Sequence, residues 1–214
     1  MDDELEAESY ASEAALAYLS RIDDTFVEHF VRIGPKEGLV LDLGCGPGTI
    51  PIKIASKRKG LEVLGLDLSE AMLQIARKNL RASGLGSRVH FQRADAKRLE
   101  FPDHTFDGVI SNSLLHHLRD PRVVLAEAVR VLKPGGTFLI RDIRRPPEVL
   151  LGMWARFFGR HYSGKMLEAY VRSLRAALSF GELKGLLGSV SISGCKPFRH
   201  GLTHIGIERR GLRA

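Results

Sequence analysis

The chain contains little cysteine. Its 214 residues include two, Cys45 and Cys195, which are too few for the disulfide framework of a small secreted protein. They are also too few for a structural zinc site or for the group of reactive thiolates that arsenite chemistry requires. Cys45 lies among glycines, in a turn where a disulfide would obstruct a ligand. We therefore expect a reducing compartment, and we assign no metal-binding residues.

Long apolar segments and a basic leader are missing as well. No apolar run approaches the roughly 20 residues that span a bilayer. Met1 is followed by the acidic stretch DDELEAE, whereas a signal peptide begins with basic residues and continues into an apolar core. These absences predict a cytoplasmic protein without a transmembrane segment.

Charge is unevenly placed along the chain. The formal net charge is +7 and the pI is about 9.6. Residues 1–30 hold nine acids and one arginine, whereas residues 141–214 hold fourteen lysines or arginines and five acids. This asymmetry predicts a solvated basic surface, an acidic N-terminal helix folded over the basic half, or a basic face for RNA or an anionic membrane.

A glycine-rich turn follows a short apolar run at Leu41–Thr49, which reads LDLGCGPGT. Gly44, Gly46 and Gly48 can take positive φ and leave no side chain between the backbone and a ligand. Dinucleotide sites use G-x-G-x-x-G instead, and the carboxylate of Asp42 would repel a pyrophosphate. A ligand with an ammonium and a sulfonium fits better. The turn therefore predicts S-adenosylmethionine (SAM) over NAD, with a ligand-free turn as the alternative.

Two further acids close predicted strands. Asp67 ends the β-rich stretch that starts at Leu61, a position suited to accept hydrogen bonds from both ribose hydroxyls. Capping of the following helix is the alternative role for Asp67. Asp95 follows the predicted strand Val89–Arg93 at the same edge of a parallel sheet, where a carboxylate can accept the adenine amino proton.

Strands and helices alternate from Leu39 onward, which predicts βαβ units and a parallel sheet. Apolar residues spaced by threes and fours predict an amphipathic helix over Ser9–Ile33. The linker Lys133–Gly136 is predicted to stop a helix and turn the chain into the fifth strand. Beyond Asp142 we expect helices over 149–158, 165–178 and 180–187, then strands over 189–195 and 201–209 joined through residues 196–198.

Five ordered motifs resemble the class I SAM-dependent methyltransferases, in particular the small-molecule group that includes the ubiquinone and menaquinone biosynthesis enzymes. They are LDLGCGPGT, Asp67 at the end of strand two, Ala94–Ala96, FDGVISNSLLHHLRDP (Phe106–Pro121) and VLKPGGTFLI (Val131–Ile140). The resemblance implies one α/β domain over 1–214, a Rossmann-like three-layer sandwich. Its mostly parallel seven-stranded sheet would end in an antiparallel C-terminal hairpin, with a lid helix at 9–33 and a helical cap for the acceptor at 143–180.

The resemblance also implies which residues bind the cofactor. SAM would be bound, and S-adenosylhomocysteine released as product, at Asp42, Gly44, Cys45, Gly46, Gly48, Asp67, Leu68, Asp95, Ala96, Asn112 and Ser113. Tyr10 and Tyr18 of the lid helix are expected to reach the methionine end, with a purely structural helix as the alternative.

Methyl transfer from a sulfonium is an in-line displacement, to which positioning and water exclusion contribute most. A catalytic base is therefore not required by the chemistry. His117 and His116 are the candidates, because neutral imidazole titrates near the working pH. Packing of one ring and solvation of the other is the alternative. His200 and His204, four apart on a predicted strand, are expected on one face as an exposed pair, with a place at the pocket mouth or metal binding as alternatives.

The acceptor is predicted to be a small molecule that is quinone-like, lipid-like or acidic. Aromatic and arginine side chains between Arg144 and Ser179 would hold it, with core packing as the competing role of the aromatics. RNA is the second candidate partner, suggested by the high pI, and a SAM-binding protein without catalysis is the third. Enzymes that methylate the amino groups of DNA bases carry an Asn or Asp followed by two prolines and an aromatic residue at the place of Asn112. This chain lacks the prolines and the aromatic residue, so methylation of DNA base amines is disfavoured. The sequence leaves the oligomeric state open.

Overall fold

The computed structural model describes residues 13–190 and 193–211, with side chains from residue 18 onward. Residues 9–12 of the predicted lid helix, including Tyr10, lie outside these ranges. The elements are α1 (Glu13–Ile33), β1 (Glu37–Leu43), α2 (Thr49–Lys57), β2 (Gly60–Asp67), α3 (Glu70–Ser83), β3 (Val89–Arg93), β4 (Phe106–Asn112), α4 (Pro121–Val131), β5 (Leu132–Ile143), α5 (Leu151–Phe158), α6 (Gly164–Ala176), α7 (Phe180–Ser189), β6 (Lys196–His200) and β7 (His204–Arg209). Short 3₁₀ turns cover Leu115–His117 and Glu148–Leu150.

The strands form one seven-stranded sheet in the order β3-β2-β1-β4-β5-β7-β6. The pairs from β3 to β5 are parallel, whereas β7 runs antiparallel to both β5 and β6. The predicted fold class, a mostly parallel Rossmann-like sheet with an antiparallel C-terminal hairpin, is confirmed.

Helices cover both faces of the sheet, so the molecule has three layers. Alternate residues of one strand point to opposite faces. Val40 of β1 packs with Phe26 and Phe30 of α1 on one face, while Leu41 packs with Leu125 of α4 on the other. Burial on both faces explains the nearly continuous apolar runs of the inner strands. None of the helices in the described ranges combines the length and apolar character needed to cross a bilayer.

The predicted linker Lys133–Gly136 is part of β5. Helix α4 ends at Val131, and extended backbone starts at Leu132, opposite Phe106. The register then shifts between Phe106 and Gly108, because residues 133–136 bulge out with Gly135 at φ 73°. The linker prediction was correct in ending the helix and wrong in leaving these residues outside the strand.

The prediction of a strand over Ser189–Cys195 was wrong for residues 189, 190 and 193–195, none of which belongs to a strand, and residues 191 and 192 lie outside the described ranges. Ser189 ends α7, and β6 is formed by Lys196–His200, the residues that were predicted as a linker. Pro197 is tolerated there because β6 is an edge strand of the sheet. Phe198 packs over Gly206 of β7, where a Cβ would lie 2.5 Å from the ring.

The two helices between β5 and α7 have a small core of their own. Leu151, Trp154 and Ala155 of α5 are buried with Leu174 of α6, and Phe158 and Tyr170 pack against them. Most of the aromatic side chains predicted to line an acceptor pocket thus take part in this packing. The division of the chain into a lid, a core and a helical cap remains a prediction.

We expect Phe138→Ala to lower the free energy of unfolding by about 3 to 5 kcal/mol, because it leaves a cavity in the core. Phe138 of β5 is fully buried among residues of α4 and β4. Chemical denaturation measures the change. Val123→Ala on the exposed face of α4 is the matched control and should stay within about 0.5 kcal/mol. An equal loss in both variants would contradict this account of the core.

Candidate cofactor and acceptor site

The glycine turn lies at the carboxyl ends of the central strands. The backbone N–H groups of Gly44 and Cys45 both donate to the Leu66 carbonyl of β2, at 2.8 and 2.9 Å. Gly44, Gly46 and Gly48 all have positive φ, at 71°, 51° and 76°. Side chains at Gly44 and Gly48 would collide with Leu114 and Phe91, whereas a Cβ at Gly46 would meet nothing within 4 Å. Gly46 therefore borders open space that a ligand can approach.

The carboxylate of Asp42 is buried without a hydrogen-bond partner. Asp42 is 1% exposed at the end of β1, and both of its oxygens lack a partner among the described residues. Burial raises the pKa of Asp42 well above its ordinary value, and the negative charges of Asp23 and Asp67 raise it further. A cationic group placed here would satisfy the carboxylate. The residues present therefore fit a ligand with an ammonium or a sulfonium.

Asp67 is the last residue of β2 and is held in a fixed orientation. Its Oδ2 accepts from the Gly46 N–H at 2.8 Å, and its Oδ1 accepts from the Ser69 N–H at 2.9 Å. Each oxygen keeps a further lone pair. Ser69 is the residue that caps α3, because its hydroxyl accepts from the Met72 N–H. Capping of α3 therefore does not occupy Asp67, and the carboxylate can still accept hydrogen bonds from a ligand.

The segment after β3 runs beside Asp67. The Ala94 N–H donates to the Asp67 carbonyl at 3.1 Å, which brings Asp95 and Ala96 to the same edge of the sheet. Asp95 is partly exposed, and its side chain pairs with Lys97 at 3.3 Å. Leu68, exposed just beyond β2, is the outermost of the predicted cofactor residues.

Asn112 is the last residue of β4, and Ser113 comes directly after it. The side-chain oxygen of Asn112 accepts from Arg141 Nε at 2.9 Å, and the Ser113 N–H donates to the Arg141 carbonyl. Ser113 has φ 63°, an uncommon conformation for a residue other than glycine. Strained backbone of this kind often accompanies functional sites. Asn112 thus serves at least to hold β4 and β5 together at the site.

A buried arginine and an acid of α1, which sequence reasoning missed, complete this edge. Fully buried Arg141 donates to Thr25 Oγ1 at 2.7 Å and to the Ile22 carbonyl at 2.8 Å. Burial lowers the pKa of Arg141 to about 10. Asp23 accepts from Thr49 Oγ1 at 2.8 Å, and burial raises its pKa. These contacts fix α1 over the glycine turn and bring a third acid beside Asp42.

His116 forms a buried pair with Asp142. Its Nδ1 lies 2.6 Å from Asp142 Oδ1, and its backbone N–H donates to Asp142 Oδ2 at 3.0 Å. Because a carboxylate only accepts, Nδ1 carries the proton. Sequence reasoning missed Asp142, although it lies near the end of β5 much as Asp67 ends β2.

The ring of His117 lies 4.0 Å from that of His116, centroid to centroid. Partial burial lowers the pKa of His117 to about 4; His116 adds to the lowering and Asp142 opposes it. His117 keeps contact with solvent. It is therefore neutral at ordinary pH and able to take up a proton.

The remaining candidates lie elsewhere. The Cys45 side chain packs against Gly65, and burial raises the pKa of its thiol. The prediction that His200 and His204 form an exposed pair on one strand was wrong, because His200 ends β6, His204 begins β7, and the two residues pair directly across the turn. His204 is buried, which lowers its pKa to about 3. No three histidine, cysteine or acidic side chains within the described ranges are grouped as a metal site would require.

Tyr18 contacts the segment between α5 and α6. Its ring stacks on His161 at 4.9 Å and meets the edge of Tyr162 at 6.0 Å. This packing connects the start of α1 to the predicted acceptor region. A contact of Tyr18 with the methionine end of the cofactor stays a prediction, as do the roles of all the site residues named above.

Residues 41–140 match the family model described as a methyltransferase domain. A demethylmenaquinone methyltransferase of Thermus thermophilus is 36% identical over 119 residues, which cover 56% of this chain and 53% of that protein. A ubiquinone biosynthesis O-methyltransferase of Hahella chejuensis is 33% identical over 158 residues, which cover 73% and 63%.

A SAM-dependent methyltransferase structure from Aquifex aeolicus superposes with a TM-score of 0.64 at 22% identity and covers 89% of each chain. At this identity the likeness shows the fold alone. The chain spans about half the length of the curated relatives it matches. The predicted resemblance to SAM-dependent methyltransferases is confirmed for residues 41–140, which match the methyltransferase-domain family.

Proposed function

We propose that this protein transfers a methyl group from SAM to a small-molecule acceptor. The observation that carries the proposal is the buried, unpartnered carboxylate of Asp42 beside the open space at Gly46. Nothing in the described residues neutralises Asp42, and two further acids, Asp23 and Asp67, raise its pKa. A nucleoside with a positively charged amino-acid end suits this surface better than one with a phosphate.

Each part of the donor has a candidate partner at the edge of the sheet. Asp67 has free lone pairs for the two ribose hydroxyls, and Asp95 is placed for the adenine amino group. Asp42 would hold the ammonium of the methionine end. When bound, SAM supplies an electrophilic methyl group on a sulfonium. The protein contributes orientation and the exclusion of water.

His117 is our candidate base for an acceptor that must lose a proton. The lowered pKa of His117 keeps its ring neutral. The neighbouring ring of His116 is held in place by its hydrogen bond to Asp142. Methyl transfer to an oxygen or carbon of the acceptor would leave the electron pair of the broken bond on the sulfur of SAM, and the acceptor would then have a proton to lose. The proton of the acceptor would then pass to the imidazole ring of His117.

The chemical class of the acceptor is inferred from the names of similar proteins. Two of them are named for demethylmenaquinone and for ubiquinone biosynthesis, which supports an aromatic, lipid-like acceptor for this chain. The segment between β5 and α7 lies beside His117 and offers both apolar and arginine side chains to such a molecule.

We expect S-adenosylhomocysteine, and not NAD, to raise the melting temperature of the protein. Asp67→Asn should weaken the binding of both S-adenosylhomocysteine and 5′-methylthioadenosine by about 1 to 3 kcal/mol, because both ligands carry the ribose hydroxyls. Asp42→Asn should weaken the binding of S-adenosylhomocysteine alone, because methylthioadenosine lacks the ammonium group. Calorimetric titration measures all four affinities. Stabilisation by NAD alone would contradict the proposed function.

The glycines allow a second test of the binding space. Gly46→Ala should lower the affinity for S-adenosylhomocysteine at least tenfold, since its Cβ would enter the open space, at a stability cost of about 1 to 2 kcal/mol from positive φ. Gly48→Ala should destabilise the fold more, because its Cβ would lie 2.4 Å from the Phe91 ring. Denaturation and ligand titration separate the two effects. Unchanged affinity in Gly46→Ala would place the ligand elsewhere.

His117→Ala should lower kcat by a factor of about 100 or more if the residue acts as the base. The acid limb of kcat/KM should lie well below pH 6.5, because the base is active when deprotonated and its pKa is lowered to about 4. His90→Ala on the exposed side of β3 is the control and should keep full activity. A loss below tenfold in His117→Ala would leave this residue a positioning role only.

A further inference from the structure

Exposed apolar side chains are concentrated on one short segment. Seven large apolar side chains are exposed in the described residues, and four of them are Val149, Leu150, Met153 and Phe157. Val149 is 90% exposed, Met153 63% and Phe157 60%. Single exposed apolar residues are normal, whereas a contiguous group of them marks an interaction surface.

These residues form a stripe along one side of the segment. Val149, Met153 and Phe157 recur every four residues through the 3₁₀ turn and α5, so they lie on one side of it. The opposite side, with Leu151 and Trp154, is buried against α6. The helix is therefore anchored by its inner side and presents the apolar stripe (Val149, Met153 and Phe157) outward.

A basic cavity lies beside the start of the stripe. We call it the arginine pocket; it has a volume of about 470 Å³ and is lined by residues 144–148, 179–181 and Arg199. Arg145 pairs with Glu182, whereas Arg144 and Arg199 have no carboxylate partner within the described ranges. Arg144 lies over Trp154, and its Nε is buried without a hydrogen-bond partner. Arg199 lies over Phe180 at 4.4 Å.

Basic residues continue along the helices between β5 and α7. Residues 149–178 contain five lysines or arginines and one acid. Exposed Arg160 lies over the Phe157 ring at 5.5 Å. Glu148 is the one acid that lines the arginine pocket. Apolar side chains flanked by basic ones are the pattern of protein surfaces that bind anionic membranes.

We propose that the apolar stripe and the arginine pocket together dock the protein on an anionic phospholipid bilayer. Lipid phosphate groups pair with Arg144 and Arg199, and Val149, Met153 and Phe157 enter the boundary between headgroups and acyl chains. The proposal gives a role to Arg144 and Arg199, the two arginines of the pocket that have no carboxylate partner within the described ranges. The proposal stands independently of the proposed function.

Charge complementarity favours a membrane over the other partners. In a symmetric dimer the same surface meets itself, so Arg156 and Arg160 would approach their own copies. RNA would satisfy the arginines and leave Val149 and Met153 in water. A bilayer with anionic headgroups offers both negative charge and an apolar interior.

Co-sedimentation of the full chain with vesicles tests the proposal. We expect the protein to bind vesicles of equal parts phosphatidylglycerol and phosphatidylcholine at least tenfold more strongly than phosphatidylcholine alone, and to dissociate as salt rises. Arg144→Gln combined with Arg199→Gln should weaken binding by roughly fivefold per arginine. Met153→Ser combined with Phe157→Ser should weaken it at least tenfold. Inorganic phosphate should not compete at concentrations that match the lipid phosphate, since it lacks the acyl chains.

Matched controls separate the surface from general effects. Val123→Ser removes an exposed apolar side chain on α4, and Lys78→Gln removes an exposed charge on α3; both should bind vesicles like the unaltered chain. Circular dichroism melts check that every variant folds. Equal binding to both vesicle types, full binding by the Ser variant, or a dimer or RNA complex formed in place of vesicle binding would overturn the proposal. A failure to bind S-adenosylhomocysteine would contradict the proposed function and would leave the membrane-docking proposal unaffected.

Discussion

The buried carboxylate of Asp42 is the constraint on which the site depends. Asp42 is the penultimate residue of the central strand β1 and has no hydrogen-bond partner among the described residues. An unsatisfied buried polar group costs about 1 to 3 kcal/mol. The two strands that flank β1 end in Asp67 and Asn112, so the unpartnered carboxyl group of Asp42 lies between two further polar side chains at the same edge of the sheet. A cationic ligand removes the cost, and binding is thereby linked to the stability of the fold.

Arg141 supports this edge from behind. Its guanidinium is fully buried and joins α1, β4 and β5 through Thr25, Ile22 and Asn112. A buried charge is tolerated only while its partners remain, because removing one of them leaves the charge uncompensated. The network therefore fixes α1 beside the glycine turn and keeps Asp23 close to Asp42. The same contacts that stabilise the fold shape the acidic side of the site.

Local patterns were sufficient for the sheet and the family, because strand and helix periods, glycines and strand-end acids are all short-range signals. They did not predict β6, because Pro197 is compatible with a strand only where that strand lies at the edge of the sheet. They also missed Asp142, which pairs with a histidine 26 residues away. In α5, apolar residues occur on all sides of the helix. Only its packing on α6 shows that Trp154 is core and that Met153 and Phe157 are surface.

The sequence by itself determined the alternation of strands and helices, the glycine turn with its positive φ, and the positions of Asp42, Asp67 and Asp95 near the ends of the first three strands. These follow from backbone sterics and from residues close together in the chain. Only the tertiary structure decided that Asp42 is unpartnered, that Arg141 joins Thr25 across 116 residues of chain, and that one side of α5 remains exposed. Burial and pairing depend on which elements meet, and that is decided by the packing of the whole domain.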